Sequence, residues 1–181
     1  MRITISGPPG SGKTTVAAIL AERLGLECVV SGNIFREMAK EKGLSLQEFG
    51  SLAEEDPRYD KLLDERMVEV ARERRDVILE GRLVAQMLER HGIPATKIYL
   101  DADIDVRAAR ISKREGTDGE ESKRAILERE ACEARRYMQY YGIDVADRSV
   151  YDLVIDTGGL TPEEVVDRMI SFLEARYCQG L

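Results

Sequence analysis

The 181-residue chain is predicted to fold as an α/β three-layer sandwich around a five-stranded parallel sheet. Three observations predict it. Five short runs rich in β-branched residues alternate with helical stretches, which is the pattern of strand–helix–strand units. The first of these runs leads into a glycine-rich loop that opens a helix. Several strand ends carry hydroxyls, carboxylates or arginines, and in open parallel sheets ligands bind at the carboxyl ends of strands.

In chain order, residues 2–6 form the first predicted strand and residues 16–24 a helix closed by Gly25. Residues 27–32 are a short second strand ending at Ser31-Gly32. Residues 33–42 are predicted to be a helix with Ile34, Phe35, Met38 and Ala39 on one face. Ser45, with Glu48 three residues on, has capping-box spacing. Asp56-Pro57 opens another helix with proline at its first position, and Leu62, Leu63, Met67, Val70 and Ala71 recur along it at helical spacing. A simple crossover between parallel strands needs about a dozen residues. The surplus before the third strand is therefore an all-helical insert, suited to act as a mobile cap.

Residues 76–82 are the third strand, with the charged tip Glu80-Gly81-Arg82, and a helix follows to about Arg90. Residues 97–101 form the fourth strand. An arginine-rich helix over 103–114, a break containing Gly116 and Gly119, and a long helix over 120–141 stopped at Gly142 come next. Residues 151–156 are the fifth strand, and Thr161-Pro162 opens the last helix. With no repeat or linker, one domain over 1–181 is expected.

The loop is Gly7-Pro8-Pro9-Gly10-Ser11-Gly12-Lys13-Thr14, followed by Thr15. It fits G-x-x-x-x-G-K-[ST] and has the strand–loop–helix context that the motif requires. Its glycines free the backbone to turn, so that N–H groups converge on phosphate oxygens at a helix N-terminus. Lys13 supplies a charge for the β- and γ-phosphates of a nucleoside triphosphate, and Thr14 a hydroxyl for Mg²⁺.

Net charge is −7, which argues against a general nucleic-acid or membrane-surface binder. No apolar run approaches the length of a membrane span. Met1 leads straight into the first strand, so no secretory leader is expected. Cys28, Cys132 and Cys178 are scattered without metal spacing and are expected to be reduced thiols of a cytoplasmic protein. His91 precedes Gly92 and fits a helix-end contact.

Arginine suits a transferring phosphoryl group because its donors form a fixed fork. Arg36 lies one turn past Ser31-Gly32, and Arg82 at the third strand tip. Arg107, Arg110 and Arg114 share one helix face, and Arg129 and Arg136 sit seven apart on the long helix. Arg36, Arg82, Arg110, Arg129 and Arg136 are candidate phosphate groups. Arg114 and Arg135 fit solvated helix faces, and Arg107 fits either role. Glu80 could hold Mg²⁺ through a water or orient an arginine. Asp101 is either a second such group or a strand-end cap.

Together these stretches resemble the nucleoside monophosphate kinases of the adenylate kinase superfamily of P-loop NTPases, and most of all the archaeal-type cytidylate kinases. Besides the loop, the resemblance rests on Ser31-Gly32 with Phe35-Arg36, Leu79-Glu80-Gly81-Arg82, Leu100-Asp101-Ala102 with Arg107 and Arg110, Tyr140 to Asp144, and Tyr151 to Thr157. Arg129-Glu130-x-x-Glu133-x-x-Arg136 is similar to an R-D-x-x-D-x-x-R pattern of bacterial cytidylate kinases, with glutamates for aspartates. The resemblance implies strand order 2-3-1-4-5, a core over 1–31, 76–110 and 125–181, a monophosphate-binding insert over 32–75 and a short lid over about 111–124. It implies that Gly7 to Thr15 bind ATP, with Mg²⁺ on Thr14. Ser31, Arg36, Glu80, Gly81 and Arg82 would serve the acceptor, and Lys13, Arg110, Arg129 and Arg136 would surround the transferring group. The expected substrates are ATP and CMP or dCMP, handled by a cytoplasmic monomer. Two departures stand out: Glu80 where relatives usually carry aspartate, and an insert shorter than in bacterial cytidylate kinases, so base-reading residues do not carry over. Adenylate or shikimate kinase activity is the nearest alternative. The guanine-reading Asn/Thr-Lys-x-Asp motif of GTP-hydrolysing switches is missing.

Overall fold

A computed structural model describes residues 1–178, without the side chains of Leu46, Gln47 and Cys178. The elements run β1 (Arg2–Ser6), α1 (Lys13–Leu24), β2 (Glu27–Val30), α2 (Ser31–Glu41), α3 (Leu46–Glu55), α4 (Pro57–Glu73), β3 (Val77–Glu80), α5 (Val84–Arg90), β4 (Thr96–Asp101), α6 (Ile104–Glu115), α7 (Gly119–Tyr141), β5 (Leu153–Asp156) and α8 (Pro162–Cys178). All strand pairs are parallel, in the order β2-β3-β1-β4-β5.

The period-2 alternation of strand side chains divides the core into two halves. Ile3, Ile5, Ile78, Ile98 and Leu100 join Val16 and Leu20 of α1 and Val166 and Met169 of α8. Val77 and Leu79 face the other way, into a cluster with Met67 and Ala71 of α4, Met87 and Leu88 of α5 and Tyr137 of α7. The sheet is thus covered on both faces, and each fully buried aliphatic contributes roughly 1.5–3 kcal/mol.

The helices between β2 and β3 belong to this second cluster. Phe49 of α3 is fully buried and packs on Phe35 at 4.7 Å and on Tyr59 at 5.1 Å between ring centroids. Removing such a ring costs about 3–5 kcal/mol, so Phe49 is the main pin of α3. The α3 start has the capping box that its sequence predicts, with the Ser45 hydroxyl taking the Glu48 N–H and Glu48 reaching back to the Ser45 N–H. Asp56 caps α4 ahead of Pro57.

Several boundaries differ from the sequence expectation. β2 ends at Val30, and Ser31-Gly32 are the first turn of α2, because extended Val30 passes straight into the helix. β3 and β5 are shorter than expected, so Gly81 and Arg82 lie just beyond the strand. Leu62 is exposed, while Met67 and Ala71 of the same helix are buried. The glycine-containing break is only the turn between α6 and α7, with Gly116 closing α6 in the left-handed conformation.

Candidate active site

The glycine loop leaves β1 at the centre of the sheet and is clamped from beneath. A Cβ on Gly7 would lie 2.2 Å from the Leu100 carbonyl oxygen, and one on Gly10 2.7 Å from the Arg107 carbonyl oxygen. No side chain fits there, which is why the turn needs glycine. Arg107 supplies much of the clamp. It is buried and donates to the carbonyls of Ala102 (2.9 Å) and Pro9 (3.3 Å) and to Glu130 (2.8 Å). Its guanidinium is taken up by the loop, by Ala102 and by Glu130, and the residue is buried, unlike a solvated helix face.

At the head of α1, Lys13 Nζ donates to the Pro8 carbonyl at 2.9 Å. Burial lowers its pKa to about 8, partly offset by Glu80, with Arg82 and Arg129 lowering it further. The next residue, Thr14, donates its hydroxyl to Glu80 Oε2 at 3.1 Å. A hydroxyl and a buried carboxylate side by side are oxygen donors of the type that Mg²⁺ prefers. Among the described residues no group of three or more His, Cys, Asp and Glu could hold an ion by itself.

Arg82 is nearly buried between the loop and α7. It donates to the Gly7 carbonyl at 2.8 Å and to Glu133 Oε2 at 2.6 Å. The other oxygen of Glu133 takes Arg129 Nε at 2.8 Å. Glu133, 5% exposed, therefore holds two of the candidate arginines at once. Burial raises its pKa, but Arg82 and Arg129 outweigh this and keep it below the ordinary glutamate value. Burial likewise opposes the charge on Arg82, and Glu133 more than restores it.

These groups share one cleft with two chambers. The first, about 530 Å³, is lined by Gly10, Gly12, Lys13, Thr14, Thr15 and Glu80, with Arg114 and Thr117 from the α6–α7 turn region. The second, about 790 Å³, lies between the α2–α4 helices and α7. Ser31, Gly32, Arg36, Arg82 and Arg129 line both. Gly81 lets Ser31 close in: a Cβ there would be 3.0 Å from the Ser31 hydroxyl. Arg36 donates to Asn33 within its own helix and is otherwise presented to the cleft.

Arg110 and Arg136, expected around the transferring group, do not line the first chamber. Arg110 is tied to the Thr157 hydroxyl (2.9 Å) and carbonyl (2.6 Å) and to the Gly10 carbonyl (3.3 Å), and it lines neither chamber. It sits beside the loop because α6 runs along the β5 end of the site. Arg136 lines only the second chamber, where its Nε is 3.4 Å from Asp60. Seven residues of helix span about 10 Å, so Arg129 stands where the two chambers meet and Arg136 lies in the second alone. Arg114 pairs with its neighbour Glu115 and lines the first chamber, and Arg135 is exposed. Asp101 accepts from the Ala102 N–H at 2.9 Å, the strand-end alternative.

The sequence places Glu133 at i+4 from Arg129 without giving it a role. Asp60 and Asp64 of the insert read equally as base contacts or as a solvated helix face, and nothing near Thr157 marks it as a partner of Arg110.

Residues 2–159 match the model of the cytidylate kinase-like family. A cytidylate kinase of Archaeoglobus fulgidus is 42% identical over 97% of this chain and 96% of its own length. One from Methanocaldococcus jannaschii is 47% identical over 96% of this chain and 98% of its own. Among solved structures, shikimate kinase from Aquifex aeolicus superposes with a TM-score of 0.62 at 21% identity, covering 98% of this chain and 99% of that one, which shows the shared fold.

Proposed function

The chain belongs to the cytidylate kinase-like family, and on that premise we propose that it transfers the γ-phosphoryl group of ATP to CMP and dCMP, giving ADP and the nucleoside diphosphate. One observation carries the reading beyond the family: the phosphate loop opens into a second chamber through a shared wall of Ser31, Gly32, Arg36, Arg82 and Arg129. A nucleotide hydrolase needs one chamber. Transfer between two nucleotides needs two that meet at the reacting phosphoryl group.

In this reading Gly7 to Thr15 wrap the donor phosphates, with Lys13 between them and the acceptor side. Thr14, with Glu80 through a water, would hold Mg²⁺, which would neutralise charge on the donor phosphates. Ser31, Arg36 and Arg82 fix the acceptor's monophosphate, helped by Gly81, which leaves room for Ser31. Arg129 reaches the junction, where positioning and charge stabilisation supply most of the rate. Glu133 keeps Arg82 and Arg129 aimed there. Arg110, beside Thr157, serves the donor end, and Arg136 the acceptor chamber. The α2–α4 helices (32–75) act as the acceptor-binding insert and the α6–α7 turn (about 111–124) as a lid. Closing them over both nucleotides excludes water, which would otherwise accept the phosphoryl group.

The enzyme acts on small molecules as a cytoplasmic monomer. No helix among the described residues is long and apolar enough to cross a membrane. The test is ADP formation from ATP and Mg²⁺ with CMP, dCMP, UMP, AMP, GMP and shikimate in parallel, plus a control without acceptor. CMP and dCMP should be turned over fastest, with little ADP in the control. Turnover confined to another acceptor would overturn the substrate assignment.

A further inference from the structure

One ion pair lining the second chamber is poorly satisfied. Asp60 of α4 is 8% exposed. Its Oδ2 lies 3.4 Å from Arg136 Nε of α7, and among the described residues neither atom has a hydrogen-bond partner. An ion pair this long and misaligned leaves both groups under-satisfied, and buried polar groups in that condition are the exception in folded proteins. Both line the chamber. Asp64, one helical turn on, also lines it but is already satisfied, accepting the Tyr141 hydroxyl at 2.7 Å. Phe35, Leu63, Met67 and Val84 give the chamber apolar wall, and much of its other lining is polar. Apolar wall beside an under-satisfied acceptor and a forked donor suits a flat polar ring.

We infer that Asp60 and Arg136 read the acceptor's base and are the groups that select cytosine over uracil. The inference rests on the functional reading above and deepens it. Cytosine presents an exocyclic amine beside a ring nitrogen and a carbonyl, both acceptors. Asp60 accepts from the amine, and Arg136 donates to the ring acceptors. Uracil reverses the first two positions: a carbonyl would face the Asp60 carboxylate and a ring N–H the guanidinium. A site built for one hydrogen-bond pattern rejects the other strongly, because its buried polar groups are left unpaired. Of the other carboxylates that line the chamber, Glu133 on α7 and Asp64 on α4 already have partners, and Glu54 and Glu128 are exposed.

The experiment measures kcat/KM for CMP and UMP with the full-length enzyme and its Asp60→Asn and Arg136→Lys variants, with KM for ATP as control. Wild type should favour CMP by about 100-fold or more. Asp60→Asn should shrink that ratio by about 30-fold, losing on CMP and gaining on UMP, because an amide can donate to the uracil carbonyl. KM for ATP should stay within about twofold. Arg136→Lys keeps the counter-charge for Asp60 but loses the fork. It should lower the ratio about tenfold, and it provides the reading if Asp60→Asn fails to fold. A CMP:UMP ratio within twofold of wild type, or an equal fall on both acceptors, would overturn the inference and leave a structural ion pair. Wild-type enzyme inactive on CMP would instead sink the functional reading itself.

Discussion

At the floor of the cleft, Lys13 and Thr14 arrive already bonded, to the Pro8 carbonyl and to Glu80, on a loop that Arg107 braces from below. On the walls the cations are less constrained. The Arg129 side chain is 63% exposed, and among the described residues Arg36 bonds to Asn33 of its own helix alone. Arg82 lies between the two regimes, tied to the floor through Gly7 and to the wall through Glu133. The difference separates two tasks. Donor phosphates meet groups that need no reorganisation, which is where electrostatic stabilisation is most effective. The acceptor meets groups on helices that can still move, which suits closure on binding. Damage to the floor should therefore appear in kcat, and damage to the walls in acceptor KM and selectivity.

The largest effect is expected at the floor. Lys13→Ala should lower kcat by about 10³-fold or more with the fold intact, read by ADP formation and circular dichroism. Activity within tenfold of wild type would break the division. Glu133→Gln tests the joint between the regions. It leaves Arg82 and Arg129 with one neutral partner and should cost about 10²-fold in kcat/KM for CMP and about 1–3 kcal/mol of stability in a denaturant titration. A stability loss without a rate loss would make Glu133 a purely structural group. Arg36→Ala should raise the acceptor KM by about 10–30-fold with kcat within about threefold. An unchanged KM would remove Arg36 from the acceptor wall.

The smallest effect concerns protons. Burial sets Lys13 near pKa 8 in the free enzyme, against an ordinary 10.5. Triphosphate beside it favours the charged form, so ATP binding should take up a proton around and above pH 8, and affinity should fall as pH rises through that value by up to about tenfold per unit. The linkage sign agrees. Between about pH 8 and 10.5 the unfolded chain binds more protons than the folded one, so the stability of the unliganded enzyme should rise with pH across that window. Titration calorimetry in two buffers of different ionisation heat measures the uptake. Equal apparent enthalpies at pH 8.5 would contradict it.

The floor was legible in the sequence because its determinants are contiguous. Gly7 to Thr15 state their own geometry, and the β-branched run Ile3-Thr4-Ile5 places the strand that carries them. The helices of the insert were readable from caps such as Ser45–Glu48 and Asp56-Pro57, though not the start of α2, where Ser31 opens a helix with no side-chain cap to announce it. The walls were legible only as a set of arginines. Which chamber each one faces depends on how α6 and α7 lie against the sheet. Arg110 turns to Thr157, 47 residues away, and Arg136 to Asp60, 76 positions earlier, and neither pairing has a signature in either segment. Glu133 is the intermediate case. Its helical partner Arg129 was visible at i,i+4, but its bond to Arg82 required the fold.

The central claim is that the two chambers exchange one phosphoryl group. The direct measurement uses ATP labelled at the γ-phosphate, with Mg²⁺ and CMP, and follows where the label goes in a single turnover. Label recovered in CDP, with little in inorganic phosphate, is the expected result. Label released as inorganic phosphate at the same rate with or without CMP would contradict the account and leave a hydrolase with one working chamber.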